Sequence, residues 1–189
     1  EGDEVTVTEA EHHSNIVPWQ MMCARKGAVL KVLPVDDSGH LMVEMLDELL
    51  TERTRMMAVT HISNVLGLIN PVKEIIEKCH SRGVPVLVDG AQGAVHCKVD
   101  VRNLDCDFYV FSGHKLYAAT GTGVLYGKKE WLEKMPPYMG GGEMVGIVSF
   151  AGTTYAPLPM KYEAGTQNFA SVATLKQAIE FINLLNDNE

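Results

Sequence analysis

Apolar positions along this chain follow two rhythms. Short, nearly continuous runs of β-branched and aromatic residues, clearest at Val84 to Val88 and Phe108 to Phe111, read as strands covered on both faces of a sheet. Between them apolar residues recur at helical spacing, as at Val72, Ile75, Ile76 and Cys79 within Pro71 to Arg82, a segment that Gly83 closes. In chain order, Val5 to Thr8 predicts a strand, and Ile16 to Arg25 a helix with Pro18 in its first turn and Gly27 as its cap. A strand at Ala28 to Val32, a turn at Asp36 to Gly39, a helix near Met42 to Leu50 and a strand at Arg55 to Thr60 follow. Such alternation predicts an α/β fold of three layers, αβα, with a mostly parallel sheet and helices on both faces.

Past Lys115 the texture changes. Gly121 to Gly127 reads as a strand able to pair antiparallel at the sheet edge, with a short helix around Glu130 to Lys134. Pro136 to Gly142 and Thr153 to Pro159 are rich in glycine, proline and small polar residues and predict long loops, which in compact domains are functional or disordered. The last helix is expected over Ser171 to Leu185, where Leu175, Ala178, Ile179, Ile182 and Leu185 make an apolar face that requires a partner. Lysine and asparagine residues near the end read equally as a solvated tail. No internal repeat or low-complexity segment is present.

Polar residues collect where the strands stop. His12, Asn64, Asp89, Gln92, Ser112, His114 and Lys115 all follow strand-like runs, so a parallel sheet brings them to one edge, the edge where open α/β sheets bind ligands. Lys115 stands just beyond Phe108 to Phe111, across the flexible Ser112-Gly113 turn. Burying an ammonium there is costly unless its pKa falls or it is covalently modified, which suits imine formation with a carbonyl, and pyridoxal phosphate is the commonest cofactor to use such a lysine. That cofactor also needs a carboxylate at its pyridine nitrogen, a flat group over the ring, and donors for phenolate and phosphate. Asp89 suits the first role and His12 the second. Asn64 and Gln92 suit the phenolate oxygen, and Ser112 and His114 the phosphate. Each residue has an ordinary reading as well: Lys115 as a solvated loop lysine, Asp89 before Gly90 as a turn former, Asn64 after Ser63 as a helix cap, His13 as a surface histidine.

Composition narrows the field. The 189 residues allow one domain with a sizeable core, and 46% hydrophobic with 21% charged residues is ordinary. A net charge of -8 without a basic run argues against nucleic acid or an anionic membrane as partner. No apolar run is long enough to span a bilayer and no signal peptide precedes Glu1, which together predict a soluble, cytoplasmic protein. Cys23, Cys79, Cys97 and Cys106 form no CxxC pair and are expected as buried thiols, Cys97 in or near a strand. The opening Glu1-Gly2-Asp3-Glu4, with no start methionine, enters a strand at once, as in a piece of a longer protein.

The stretches EHHSNIVPWQ from Glu11, THISNVLG from Thr60, VLVDGAQGAVH from Val86, DCDFYVFSGHKLY from Asp105, GTGVLYG from Gly121, GGGEM from Gly140 and EAGTQN from Glu163 together resemble the class V aminotransferase family, most closely its group II cysteine desulfurases and selenocysteine lyases. The resemblance covers almost the whole chain. It implies the large domain of the type I pyridoxal phosphate fold, with a seven-stranded, mostly parallel sheet, in a homodimer whose sites lie near the subunit interface. It implies Lys115 as the Schiff-base lysine, Asp89 at the pyridine nitrogen and His12 stacked on the ring and assisting proton transfer. Asn64 and Gln92 map to the phenolate oxygen, Ser112 and His114 to the phosphate, and Thr166 to the phosphate in the partner subunit's site. The family usually has proline where Gln167 stands. The implied reaction takes sulfur from L-cysteine, or selenium from L-selenocysteine, leaves L-alanine, and passes persulfide sulfur to an acceptor protein for iron-sulfur cluster assembly.

Two family elements have no counterpart in residues 1–189: the upstream small-residue and threonine loop that cradles the phosphate, and the downstream small domain with the nucleophilic cysteine and the substrate-carboxylate arginine. None of the four cysteines stands in the catalytic context. The expectation is therefore a cofactor-domain core that is inactive alone, and no metal site. Two other readings stay open: another class V enzyme, such as an aminotransferase or kynureninase, and a non-catalytic dimerising scaffold domain.

Overall fold

In a computed structural model, residues 1–186 are described. The end of the polar tail, 187–189, lies outside the described residues. The strands β1 (Glu4–Thr8), β2 (Val29–Leu33), β3 (Thr54–Thr60), β4 (Val86–Asp89), β5 (Phe108–Ser112) and β6 (Gly123–Gly127) form one sheet in the order β2-β1-β3-β4-β5-β6. The first five run parallel and β6 is antiparallel at the edge. Six strands thus stand where seven were expected, and beyond β6 no strand pairs among the described residues.

Crossovers pass through α1 (Val17–Lys26), a 3₁₀ turn at Val43–Met45 running into α2 (Leu46–Leu49), α3 (Val72–Ser81), and two single turns, α4 (Gly93–His96) and α5 (Val101–Leu104). After β6 come α6 (Lys129–Lys134), the hairpin strands β7 (Val145–Ser149) and β8 (Gly152–Tyr155), and α7 (Phe169–Asn186). The helix ends follow the sequence: Gly27 caps α1 in the left-handed region at φ 63°, and Gly83 follows α3 at φ 70°. The register sets Met57, Val59, Val86, Val88 and Tyr109 on one face of the sheet. There they form the main core with Leu46 of α2 and Val72, Ile75, Ile76 and Cys79 of α3. The other face carries Val5, Val7, Ala58, Leu87 and Val110, the last two only half-buried.

Several expectations need correction. The segment Thr153 to Pro159 is not all loop, because Gly152–Tyr155 pairs with Val145–Ser149. Met42 to Leu50 is half 3₁₀, and only Leu46–Leu49 is α-helical. Cys97 lies at the end of α4, in no strand, and is half-buried while the other three cysteines are buried. The apolar face of α7 is covered only in part. Ala178 is buried, but Ile179 and Leu185 are about half exposed. A cleft of about 360 Å³ remains between Ile179 and Ile182 on the helix and Tyr109, Phe111 and Tyr126 on the sheet.

Candidate active site at the carboxyl edge of the sheet

The chain leaves β1 toward β2 on one side and leaves β3 toward β4 on the other, so β1 and β3 flank the point where the strand order reverses. Their pairing stops at Thr6 and Met57, and past it the two strands part. Crevices of this kind beyond the carboxyl ends of strands are where open α/β sheets hold ligands. Asp89 and Ser112 end β4 and β5, and the connections leaving β1, β3, β4 and β5 carry His12, Asn64, Gln92, and His114 with Lys115. Seven of the eight sequence-predicted residues therefore stand at one edge. Thr166 does not, at least by direct connection: it is exposed on the loop leading into α7.

Asp89 ends β4 and is 7% exposed. Its Oδ1 accepts the Ala91 N–H at 2.9 Å, and no other hydrogen bond to its carboxylate occurs within the described residues. The turn-former reading of Asp89 is thus correct and leaves one oxygen unspent. Behind it the turn is fitted closely to β5. A Cβ on Gly90 would fall 1.9 Å from the Tyr109 ring, and one on Gly93 would fall 2.5 Å from His61 Nδ1 and 2.7 Å from Tyr109 Oη. Those two side chains are buried and joined at 2.9 Å. Burial depresses the His61 pKa and raises that of Tyr109, so the pair stays neutral.

Ser112 ends β5, and the 3₁₀ turn Gly113–Leu116 then presents His114 and Lys115 before Tyr117 reverses the chain at φ 63°. Lys115 is half-buried, and among the described residues neither it nor the exposed His114 makes a side-chain hydrogen bond or an ion pair. Asn64 and Gln92 line one cleft of about 390 Å³ with Ser63, Gly67 and His96. Asn64 does not cap a helix; it lies in an exposed turn where Ser63 Oγ accepts the Val65 and Leu66 N–H groups instead. His12 is exposed on the β1–α1 connection, its Nδ1 accepting the Ser14 N–H at 3.2 Å and lying 2.8 Å from Ser14 Oγ. A primary amine, a carboxylate with a spare oxygen, an imidazole and amide and hydroxyl donors make a donor set that fits pyridoxal phosphate.

Sequence reasoning missed Glu11. This carboxylate is 7% exposed at the same edge and accepts from Thr8 Oγ1 at 2.6 Å, Asn15 Nδ2 at 2.6 Å and the Thr60 N–H at 2.8 Å. Burial pushes its pKa up to about 7 against those three bonds, and the charge of Asp89 adds to the rise. Its bonds to Thr8 and Asn15 are local, but the one to Thr60, 49 positions away, shows in no local pattern. The three buried thiols behave as expected of core residues. Burial raises Cys79 to about 12 and Cys106 to about 11, and it raises Cys23 as well, so these three are not thiolates at neutral pH.

Known proteins match this chain along nearly its full length. A cysteine desulfurase of Cronobacter sakazakii is 55% identical over 185 residues, covering 97% of the chain and 46% of the relative. The crystal structure of the Escherichia coli cysteine desulfurase CsdA superposes with a TM-score of 0.94 at 50% identity, over 96% of this chain and 46% of that one. A variant of C-DES with glycine covalently linked to its PLP cofactor superposes at 0.86 with 27% identity, over 100% and 50%. The chain thus spans about half the length of the curated relatives it matches. The family model for class V aminotransferases matches residues 1–188, and on that match and these identities the chain belongs to the class V aminotransferase family.

Proposed function

We propose that this chain is the cofactor-binding core of the large domain of a pyridoxal phosphate-dependent cysteine desulfurase or selenocysteine lyase. The observation that carries the reading is Lys115: a half-buried amine with no internal partner among the described residues, on the turn after β5, at the edge where Asp89 keeps an unspent carboxylate oxygen. When bound, pyridoxal phosphate supplies an aldehyde for covalent attachment and a protonated ring that draws electrons from a substrate's α-carbon. Lys115 would hold the aldehyde carbon through Nζ and carry a proton there. Asp89 would accept from the ring nitrogen and keep it protonated. His12 would cover the ring and take or give a proton as a base of near-neutral intrinsic pKa. Asn64 and Gln92 would donate to the phenolate oxygen, Ser112 and His114 to the phosphate, and Thr166 to the phosphate of a second subunit.

In the full reaction L-cysteine loses its sulfur to a thiol, which becomes a persulfide, and L-alanine remains. The raised pKa values of Cys23, Cys79 and Cys106 speak against each of these three as that thiol. On this reading the thiol belongs with the substrate-carboxylate arginine on the small domain, and the phosphate loop lies upstream. The open edge of β6, where Val124 and Leu125 are exposed, supports a further strand there. The exposed apolar residues of α7 are consistent with a homodimer. A sulfur-acceptor protein and a cytoplasmic location complete this reading; among the described residues no helix is long and apolar enough to cross a membrane.

The test is to add pyridoxal phosphate to the purified protein, reduce with borohydride and map the modified peptide. The expected product is one adduct, on Lys115, that is lost in Lys115→Ala. A folded protein with no specific adduct, or with one elsewhere, overturns the reading in favour of a non-catalytic scaffold.

A further inference from the structure

Thr60, the last residue of β3, has lost its β1 neighbour, because the β1–β3 ladder ends at Thr6 and Met57. Its backbone groups are satisfied by side chains instead. Its N–H donates to Glu11 Oε1 at 2.8 Å and its carbonyl accepts from Asn70 Nδ2 at 2.8 Å. Glu11 therefore bridges the gap at which the two strands part. The same carboxylate receives Thr8 Oγ1 from the end of β1 and Asn15 Nδ2 from the 3₁₀ turn His13–Asn15, while Asn15 Oδ1 accepts Trp19 Nε1 of α1 at 3.0 Å. By contrast, among the described residues the imidazole of His12 is hydrogen-bonded only within its own turn, to Ser14. The position of that turn over the crevice is thus set through its neighbour, Glu11.

We infer that Glu11 is a positioning residue that fixes His12 over the crevice by tying the β1–α1 turn to the end of β3. The inference rests on the reading that His12 covers the cofactor ring. Its chemical requirement is an acceptor at both carboxylate oxygens. In Glu11→Gln one oxygen still serves Thr8 and Thr60, but an amide NH₂ then meets Asn15 Nδ2, donor against donor. Asn15 relieves this only by turning over and giving up Trp19, so the turn moves while the strands remain.

The experiment uses the full-length protein loaded with pyridoxal phosphate, as wild type, E11Q, H12A and the double variant, and reads cofactor affinity, the visible absorption of bound cofactor and thermal melting. E11Q is expected to weaken cofactor binding by about tenfold and to shift the absorption band. In the H12A background the same substitution is expected to leave affinity and band unchanged, which a merely structural role would not produce. If E11Q does not fold, Thr8→Val removes one donor to Glu11 and the acceptor of the Ala10 N–H, keeps the strand and is expected to act in the same direction with a smaller effect. Wild-type uptake of cofactor with unaltered affinity and band in E11Q, or equal effects with and without His12, overturns this inference alone. A wild type that takes up no cofactor overturns the functional reading, and this inference with it.

Discussion

Two buried aspartates sit at opposite edges of the sheet, and their surroundings differ in kind. Asp107, just before β5 at the amino edge, is 4% exposed and fully partnered. His80 Nε2 lies 2.8 Å from Oδ2, the Val86 N–H donates to the same oxygen at 2.8 Å, Trp131 Nε1 donates to Oδ1 at 2.9 Å, and Lys128 stands 3.6 Å away. Although burial pushes its pKa upward, these bonds and the Lys128 charge outweigh it and hold the carboxyl below its usual range. Asp89, equally buried at the carboxyl edge, has a single local N–H among the described residues. Saturation marks a charge that holds the fold together. An unspent oxygen, at the same edge as a lysine with no partner among the described residues, marks one kept for a ligand.

Replacing each aspartate breaks the comparison if it is wrong. Asp107→Ala strands three donors, although Lys128 keeps Asp105 at 2.7 Å, and is expected to cost about 3–5 kcal/mol. In a chain of this length that lowers the melting temperature by on the order of 10 °C. Asp89→Asn is expected to change stability by less than about 1 kcal/mol while impairing cofactor uptake. Equal losses in thermal melts would erase the distinction.

Acid sharpens it further, because carboxylates at the two edges respond with opposite sign. Glu11 rises from 4.5 unfolded to about 7 folded, so the folded state binds the extra proton between those values. Its contribution to stability is therefore expected to climb, by up to roughly 3 kcal/mol, as pH falls from about 7 to 4.5, and E11Q is expected to flatten that limb. Asp107 is depressed below 3.8, so its contribution is intact above that pH and is lost as pH falls through the folded value. Because burial holds His61 below 6.5 and so opposes Glu11 over the same range, denaturant melts across pH are expected to separate wild type from E11Q, with E11Q losing more stability as pH falls from about 7 to 4.5; parallel profiles would contradict the Glu11 assignment.

The smallest effect concerns Thr6, whose buried Oγ1 has no hydrogen-bond partner among the described residues. Thr6→Val keeps the shape, removes that cost and is expected to stabilise by about 1 kcal/mol in the same melts.

How much of this was visible in sequence follows from how local each cause is. The five parallel strands and α3 were placed to within about two residues because their apolar runs and spacing are properties of the segment itself. The β7–β8 hairpin escaped because Gly152–Tyr155 is exposed throughout and its strands find each other rather than a core. The single turns α4 and α5 are too short to show any period. At the site, Lys115 and Asp89 announced themselves by following strands. Glu11 and the His61–Tyr109 pair did not, since each is made by contacts between residues 48 or 49 positions apart.

The close fit of the Asp89–Gly93 turn against Tyr109 and His61 also decides where variation is permitted. A combinatorial library aimed at altering what this edge accepts would waste every member that carries a side chain at Gly90 or Gly93, since even a methyl group there would overlap a buried ring. Asn64, exposed in its turn across the cleft, is the position where diversity is tolerated at no structural cost.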